Sequence, residues 1–462
     1  MSLERRLTVV ESRNLNVRTS AAGVAVFPTA DVNSCAARVN NLASKHAPSW
    51  KDRGGMISLS LGDADTGTMP DKVINAHDDA FRSSREVPYA PIPGAPKLRD
   101  VVASNMRNMF GVPNATADQV LPIAGSRFGE AAFMEIFYAS PDYQGRKMLV
   151  VDPCWATGPQ QAQKVGGRDG LIEAMLPYDK ESLFARLTPA MLDDLLDRHP
   201  EIGGILFTNP NNPTGHLATR DEMREFAEIF ASRRLLVLED ATYGYITFGH
   251  SVSTLFSVAN DLKSADRDAL LERTALVLGL QKLVGSGLRV SAVVAQNQNL
   301  LASFTGLASN YTGPVNAPAQ AAAAMLYSDS GALNAANSVL ARRRVALASA
   351  LEQARVNLRR VHDVDVFEHT LGQVVTTPTL HGGGYYAVMK LHPKAIARIC
   401  ETMGISELTS DAVMEFFAGE VGTKVQAGIT MRLDDTHIRL AFGAVSEDHL
   451  KLFGERLEAA FK

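Results

Sequence analysis

The sequence predicts an α/β fold, with a large domain holding a mostly parallel sheet sandwiched by helices and a smaller α+β domain. Between about residues 70 and 330, short apolar runs alternate with helical patterns, which is typical of parallel sheets. The chain has 462 residues, and a single core stops growing at roughly 250–300. We therefore predict an N-terminal arm at 1–70 that contributes to the small domain, a large domain at 71–330 and a small C-terminal domain at 331–462.

The composition is that of an ordinary globular protein. Hydrophobic residues make up 46%, charged residues 21%, and the formal net charge is −4, so no basic excess points to nucleic acid or an anionic membrane. The three cysteines, Cys35, Cys154 and Cys400, form no CxxC pair, which argues against a zinc site or a disulfide framework. No apolar h-region or run of about 18 apolar residues occurs. We expect a cytoplasmic protein without metal, membrane or nucleic-acid partners.

The N-terminal part is predicted to hold an arm, a helix and a strand. The helix begins near Asp31, a capping residue, with Val39 and Leu42 at helical spacing behind it. Residues 56–61 alternate like a strand and end at Gly62, where a turn can bring the backbone close to a ligand.

Short apolar runs predict the strands of the large domain, and the C-terminal third changes pattern. The runs lie at 147–152, 204–207, 235–238, 275–280 and 291–295. Thr219 and Glu222 form a capping box before a helix whose apolar face should cover the sheet. Near Asn337 a long helical pattern begins, and strands are predicted later at 382–389 and 438–442.

Polar residues follow the predicted strands, and ligands of parallel α/β sheets bind at the carboxyl ends of strands. Each such residue also has a purely structural interpretation as a turn, a helix cap or core filling, and a lysine at a strand end often points into water. The residues collected in this way are Gly125, Ser126, Arg127, Trp155, Asn212, Asp240, Tyr243 and Lys282.

Their order along the chain matches a known pattern. The specific motifs are Asn-Pro-Asn-Asn-Pro-Thr-Gly at 209–215, Asp240-x-x-Tyr243, and Lys282 followed by Arg289. On these residues, the chain resembles the fold-type I pyridoxal-phosphate enzymes, specifically class I/II aminotransferases related to aspartate aminotransferase, over nearly its whole length. Residues 89–94 and 438–442 are similar to further landmarks of that family.

The resemblance implies roles for the residues around the cofactor ring. Lys282 would form the internal aldimine with pyridoxal 5'-phosphate and then move the substrate's α-proton. Asp240 would keep the pyridine nitrogen protonated, so that the ring accepts electrons. Asn212 and Tyr243 would hydrogen-bond the phenolic oxygen, and Trp155 would stack on the ring.

The resemblance also implies a phosphate site, a substrate clamp and a partner subunit. The helix start at Gly125, Ser126 and Arg127 would bind the phosphate together with Arg289. Tyr89 would reach the phosphate of the partner's cofactor, which implies a homodimer with shared active sites. Arg439 would bind the substrate's α-carboxylate, with Gly62 and Asn212 also at the substrate.

The sequence departs from the family pattern near the lysine. Gly279 and Gln281 occupy positions where the family commonly has hydroxyl residues, so the phosphate site is expected to be partly rebuilt, with Arg127 as a replacement donor. The segment 305–316 contains no arginine, whereas dicarboxylate-specific members have one there. A dicarboxylic amino donor is therefore not expected.

Three functions are compatible with this pattern. The leading one is transfer of an amino group between an amino acid and a 2-oxo acid. A β- or γ-elimination, replacement or cyclisation enzyme would use the same fold and cofactor, as C–S lyases and aminocyclopropane-carboxylate synthases do. A sensor domain without catalysis is the remote alternative, because the N-terminal arm is too short and not basic enough for a DNA-binding segment.

Overall fold

The computed structural model describes residues 18–19, 25–26, 30–83, 89–176, 186–362, 366–371 and 382–462. The α-helices within these ranges are α1 Ala30–Trp50, α2 Asp71–Arg82, α3 Pro96–Asn108, α4 Ser126–Ala139, α5 Thr157–Gly166, α6 Pro189–Arg198, α7 Arg220–Ser232, α8 Leu255–Val258, α9 Ser264–Arg273, α10 Gln281–Val284, α11 Gln298–Tyr311, α12 Ala317–Tyr327, α13 Ser330–His362, α14 Pro393–Met403, α15 Ser410–Gly419 and α16 Glu447–Phe461.

The strands, numbered in the same way, belong to two larger sheets and two short pairs. They are β1 Arg18–Thr19, β2 Ala25–Val26, β3 Ile57–Ser58, β4 Val120–Ile123, β5 Lys147–Asp152, β6 Leu171–Met175, β7 Ile202–Thr208, β8 Leu236–Ala241, β9 Thr274–Leu278, β10 Ser291–Ala295, β11 Phe367–Leu371, β12 Tyr386–Leu391, β13 Thr423–Lys424, β14 Gln426–Ala427 and β15 His437–Ala441.

The large sheet has the strand order β4-β10-β9-β8-β7-β5-β6. Pairing is parallel from β9 to β6, and β10 is antiparallel to both of its neighbours. The prediction of a mostly parallel sheet is confirmed. The reversed direction of β10 has a local cause, because the chain returns from β9 through the four-residue helix α10 and not through a full crossover helix.

Helices cover both faces of this sheet. Successive residues of β9 alternate between two apolar clusters, with Leu276 facing one and Val277 the other, which explains why the run is apolar without interruption. The predicted capping box is confirmed: the Thr219 backbone N–H donates to Glu222 Oε2 at 2.9 Å, and the Glu222 N–H donates to Thr219 Oγ1 at 3.2 Å. It starts α7, whose Phe226 packs on the sheet.

The small sheet has the order β11-β12-β15-β14 and is antiparallel. Beside it, β3 pairs in parallel with β13, and α1 packs against α15. The strand predicted at 56–61 is shorter than expected. Its alternation fails at Ser60, which is buried, and at Leu61, which is 55% exposed. The division of the chain at residues 70 and 330 stays a prediction.

A buried ion cluster joins the two sheets. Arg432, in the loop between β14 and β15, pairs with Glu173 on β6, and its Nε lies 3.5 Å from Asp152 Oδ2 on β5. Asp152 is 1% exposed, and burial raises the pKa of its carboxyl to about 6, against the opposing effect of Arg432. The buried Cys154 thiol donates to Asp152 Oδ1 at 3.0 Å.

No helix in the described ranges combines the length and the apolar character that a membrane span requires. No group of three or more His, Cys, Asp or Glu side chains in those ranges is placed to hold a metal ion.

Candidate functional site

A cavity of about 330 Å³ lies at the carboxyl ends of the parallel strands, between the large sheet and the small sheet. Most of the residues singled out from the sequence line it: Gly62, Ser126, Arg127, Trp155, Asn212, Asp240, Tyr243, Lys282, Arg289 and Arg439. Gly125 lies against the Arg289 guanidinium, so closely that a side chain at this position would overlap it. Tyr89 is not part of this lining and is 91% exposed.

Lys282 reaches the cavity from α10, four residues after β9 ends. Its ammonium Nζ donates a hydrogen bond to the Gly62 carbonyl oxygen at 3.1 Å, and the Tyr385 hydroxyl donates to the same oxygen at 2.6 Å. The Nζ also lies 5.3 Å from the centre of the Tyr243 ring. The lysine is thus directed into the cavity, in contrast to the alternative of a solvated side chain at a strand end.

The backbone beside β9 explains one departure from the family pattern. A Cβ atom at Gly279 would overlap the carbonyl oxygen of Thr242, so the approach of these two strand ends leaves no space for a hydroxyl side chain. Gln281 is 3% exposed, lines the cavity, and its Oε1 has no hydrogen-bond partner among the described residues.

Asp240 lies near the end of β8, at the base of the cavity. Its Oδ1 accepts hydrogen bonds from the Thr242 backbone N–H at 3.0 Å and from the Thr242 hydroxyl at 2.5 Å. Burial raises the pKa of the Asp240 carboxyl, while the Thr242 hydrogen bonds and Lys282 oppose that rise. These hydrogen bonds favour the charged form of Asp240.

Glu130 is a second buried carboxyl at the same cavity. It lies one turn after Ser126 on α4 and is 7% exposed. Burial, and then the charge of Asp240, raise the pKa of Glu130 well above its usual range. We infer that Glu130 carries the proton of this pair and Asp240 the negative charge.

Three tyrosines and Asn212 form the wall beside Lys282. The Tyr243 and Tyr386 hydroxyls are hydrogen-bonded at 2.7 Å, and burial raises the pKa of Tyr243 well above its usual range, so it stays protonated. Tyr385 packs edge-on against Tyr243 with ring centres 5.5 Å apart. Asn212 is 8% exposed, and its Oδ1 has no partner in the described part of the chain.

The lining of the cavity around the start of α4 carries positive charge. Ser126 begins the 14-residue helix α4, and a Cβ at Gly125 (φ +86°) would lie 2.5 Å from an Arg289 guanidinium nitrogen. Burial, and then the neighbouring charge of Arg127, lower the pKa of Arg289. The Ser286 hydroxyl is buried there without a partner in the described ranges. Two guanidinium groups at a helix N-terminus are suited to bind an anion.

Arg439 reaches the cavity from β15 and is 3% exposed. One terminal nitrogen donates to the Ser60 carbonyl oxygen at 2.9 Å. Its guanidinium carbon lies 4.3 Å from the Tyr386 ring centre and 5.2 Å from that of Trp155. No carboxylate of the described residues pairs with it. A buried guanidinium without an acidic partner is expected to bind an anionic ligand.

Some residues of the site were missed by the sequence analysis. Tyr386 follows the glycine run 382–384, and that run was a usable signal for close backbone approach. Glu130 gave only the weak signal of an acid on an apolar helix face. Ser286 and Gln426 gave none, because a loop and the two-residue strand β14 leave no periodic pattern.

The site and the fold can be compared with known proteins. Residues 55–452 match the family model described as aminotransferase class I and II. The chain is 23% identical to aspartate aminotransferase of Geobacillus stearothermophilus over 275 residues, which are 59% of this chain and 64% of that protein. It is 31% identical to LL-diaminopimelate aminotransferase of Dehalococcoides mccartyi over 196 residues, 42% and 47% of the two chains. The alignments thus cover about half to two thirds of these relatives' length.

Solved structures show a similar fold. A double mutant of Thermus thermophilus aspartate aminotransferase superposes with a TM-score of 0.70 at 19% identity, covering 94% of this chain and 97% of that one. N-succinyldiaminopimelate aminotransferase from Mycobacterium tuberculosis gives a TM-score of 0.69 at 21% identity, covering 92% and 96%. At such identities the similarity concerns the fold alone.

Proposed function

The chain belongs to the aminotransferase class I and II family, and we propose that it is a pyridoxal-phosphate-dependent aminotransferase. It would move an amino group between an amino acid and a 2-oxo acid. The observation that carries this proposal is the convergence of Lys282, Asp240 and Arg439 on one cavity, although they come from distant parts of the chain. A lysine, a buried carboxylate and a buried arginine with no acidic partner among the described residues are the groups that this chemistry needs.

The cavity fits the cofactor in its charges and its unpaired polar atoms. Arg289, Arg127 and the start of α4 would bind the phosphate, and Asp240 would bind the pyridine nitrogen. Asn212 Oδ1 and Ser286 Oγ have no hydrogen-bond partner within the described ranges, and both residues line the same cavity, where a polar ligand would complete their hydrogen bonding. When bound, pyridoxal phosphate supplies an aldehyde that condenses with amines and a ring that accepts electrons from the substrate's α-carbon.

The chain's own residues would hold and move the protons. Lys282 would anchor the cofactor and, once released, carry a proton at Nζ to and from the substrate's α-carbon. The hydrogen bond to Gly62 keeps this nitrogen inside the cavity. Asp240, whose charged form the Thr242 hydrogen bonds favour, would hold a proton on the ring nitrogen. Tyr243, paired with Tyr386, would donate to the ring's phenolic oxygen.

Arg439 would bind the α-carboxylate of the substrate. Its planar fork matches a carboxylate, and the contact with Ser60 fixes its orientation. Because the segment 305–316 contains no arginine, we propose that the preferred amino donor is not dicarboxylic.

We also propose that the enzyme works as a cytoplasmic homodimer with shared active sites. Among the described residues between 74 and 92, four large hydrophobic side chains are exposed, namely Ile74 (53%), Phe81 (58%), Tyr89 (91%) and Ile92 (39%). Exposed apolar groups this close together in the sequence suit an interaction surface. A second copy would cover them, and Tyr89 would then reach the partner's phosphate site.

The catalytic proposal is tested with Lys282→Ala. The variant should stay folded, lose turnover, and lose both the absorption band of the lysine-bound cofactor and the product of borohydride reduction. Lys451→Ala, at an exposed position on α16, is the matched control and should behave like the wild type. A reducible linkage that survives in Lys282→Ala would mean that another lysine is the anchor.

A spectral titration of the holoenzyme with the common amino acids then separates the reactions. Conversion of the bound cofactor to its amine form, reversed by a 2-oxo acid, indicates transamination. Release of ammonia and an oxo acid without an acceptor would instead indicate the elimination chemistry of the second hypothesis. If no amino acid changes the spectrum, both enzyme hypotheses fail and the sensor domain without catalysis is favoured.

Subunit complementation tests the shared site. If Tyr89→Ala alone is inactive, mixing it with Lys282→Ala and allowing exchange creates dimers in which one site has both native residues. Activity should then recover to roughly a quarter of the wild-type level, as expected for random pairing in a twofold dimer. No recovery, despite proven exchange, would place Tyr89 outside the partner's site.

A further inference from the structure

Gln426 is a buried side chain beside Arg439 that the mechanism above does not use. In the register of β14 and β15, Gln426 is paired directly with Arg439. Directly paired residues of antiparallel strands project from the same face, with Cβ atoms about 4.5–5.5 Å apart. Both side chains line the cavity, and Gln426 is 4% exposed. The amide and the guanidinium therefore form one wall of the site.

This wall has hydrogen-bonding capacity that the protein does not use. Gln426 Nε2 and Arg439 Nε are both buried, and neither has a partner among the residues described. The neighbouring Thr430 hydroxyl, in contrast, donates to the Ala427 carbonyl oxygen at 2.7 Å. Since buried N–H groups are normally paired, two adjacent unpaired ones indicate that an acceptor arrives from outside the chain.

The chemistry of the wall limits what that acceptor is. Arg439 supplies positive charge and a fork of donors, and the amide of Gln426 adds a neutral donor without cancelling the charge. A carboxylate has room for more than the two hydrogen bonds of an arginine fork, because its two oxygens offer about four lone-pair sites. A glutamate in place of Gln426 would pair with Arg439 and compete with such a ligand.

We propose that Gln426 is a second recognition residue for the substrate's α-carboxylate, to which its side-chain amide donates a hydrogen bond beside Arg439. This inference rests on the proposed function and names a second residue that determines which substrates the site accepts. With Gln426 oriented so that Nε2 faces the ligand, both residues donate, and the wall then favours a carboxylate over a carboxamide, whose NH₂ group would face another donor. The enzyme should therefore discriminate strongly between amino acids and their amides.

The test uses the holoenzyme and the variant Gln426→Met, which keeps the length of the side chain and removes the amide. Hexanoate and 3-phenylpropionate, which cannot react, are titrated against the absorption of the bound cofactor. The dissociation constants should rise about 10- to 100-fold, as for loss of a hydrogen bond to a charged group. Gln144→Met, at an exposed position, is the matched control and should leave them unchanged.

Kinetics then separate recognition from a structural role. For the amino acid with the fastest half-reaction, kcat/KM of Gln426→Met should fall by a similar factor through KM, with kcat nearly unchanged. For the corresponding amino acid amide, the loss should be less than about threefold, because the lost donor made no favourable bond to it. Gln426→Glu should bind the carboxylates more weakly still.

Two results would overturn the inference: unchanged carboxylate affinity in Gln426→Met, or equal losses for the acid and its amide. If the Met variant does not fold, Gln426→Asn withdraws the amide by one methylene and is measured in the same way. A wild-type protein without a lysine-bound cofactor band would refute the proposed function itself. A normal band with unaffected variants refutes only the role of Gln426.

Discussion

Glu239 is a fully buried carboxyl group whose ionisation should govern how stability depends on pH. It lies on β8 next to Asp240, and neighbouring strand residues point to opposite faces, so it faces away from the cavity. It is 0% exposed, and its Oε2 accepts a hydrogen bond from the Leu255 backbone N–H at 2.8 Å. Burial raises the pKa of Glu239 from 4.5 to about 8, against the opposing effects of Leu255 and Asn209.

The sign of the effect follows from this shift. Between pH 4.5 and about 8 the folded chain keeps the proton on Glu239, whereas the unfolded chain releases it. The free energy of unfolding therefore falls as pH rises through this window, by about 1.4 kcal/mol per pH unit for this one group. Above the folded pKa the loss is complete, at about 5 kcal/mol.

Glu239→Gln removes the titration and keeps the shape and the acceptor for Leu255. We expect the free energy of unfolding of the variant, relative to wild type, to increase by about 3 kcal/mol between pH 5.5 and 8.5. Urea denaturation of both proteins at the two pH values measures this difference. Glu225→Gln, exposed on α7, is the control and should show no such change. An equal difference between Glu239→Gln and wild type at both pH values would refute the argument that a neutral carboxyl is buried there.

Three further substitutions test the site and the fold. Arg439→Lys keeps the charge but loses the fork, so kcat/KM should fall by roughly one to two decades for every amino acid, with the cofactor spectrum unchanged; unaltered kcat/KM would contradict the clamp. Asp240→Asn should retain the reducible lysine linkage but lose most turnover, since the ring nitrogen is no longer held protonated; near-wild-type turnover would exclude this role. Thr219→Ala should lower the free energy of unfolding by about 1 kcal/mol in urea, and Thr219→Ser should restore it; an unaffected Thr219→Ala would show that the cap contributes nothing.

Much of the fold was predictable because the large sheet is buried on both faces. Its strands appear in the sequence as short, uninterrupted apolar runs, and the run at 291–295 coincides with β10. The reversed direction of β10 was not predictable, since strand direction depends on how the chain returns from β9. The outer strand β6 was also missed, because its sequence Leu-Ile-Glu-Ala-Met contains Glu173, a member of the ion cluster.

The predictable part of the site consists of residues at the ends of strands or just after them. Asp240 and Trp155 are examples, because the ends of parallel strands meet at one edge of the sheet. Residues brought in by the small sheet depend on long-range packing. Tyr386 and Gln426 reach the cavity only because β12, β14 and β15 assemble next to the large sheet. No spacing within the sequence encodes that contact.

The ion cluster around Arg432 also has a mechanical consequence. Arg432 lies in the loop that connects β14, which carries Gln426, to β15, which carries Arg439. Its guanidinium contacts Glu173 and Asp152 on the large sheet. Moving Arg432 away would leave the buried carboxylates of Asp152 and Glu173 without their cation, which is unfavourable. We therefore expect a displacement of the small sheet to keep these contacts and to rotate about Arg432. Gln426 and Arg439 would then turn with the small sheet and stay next to the large sheet.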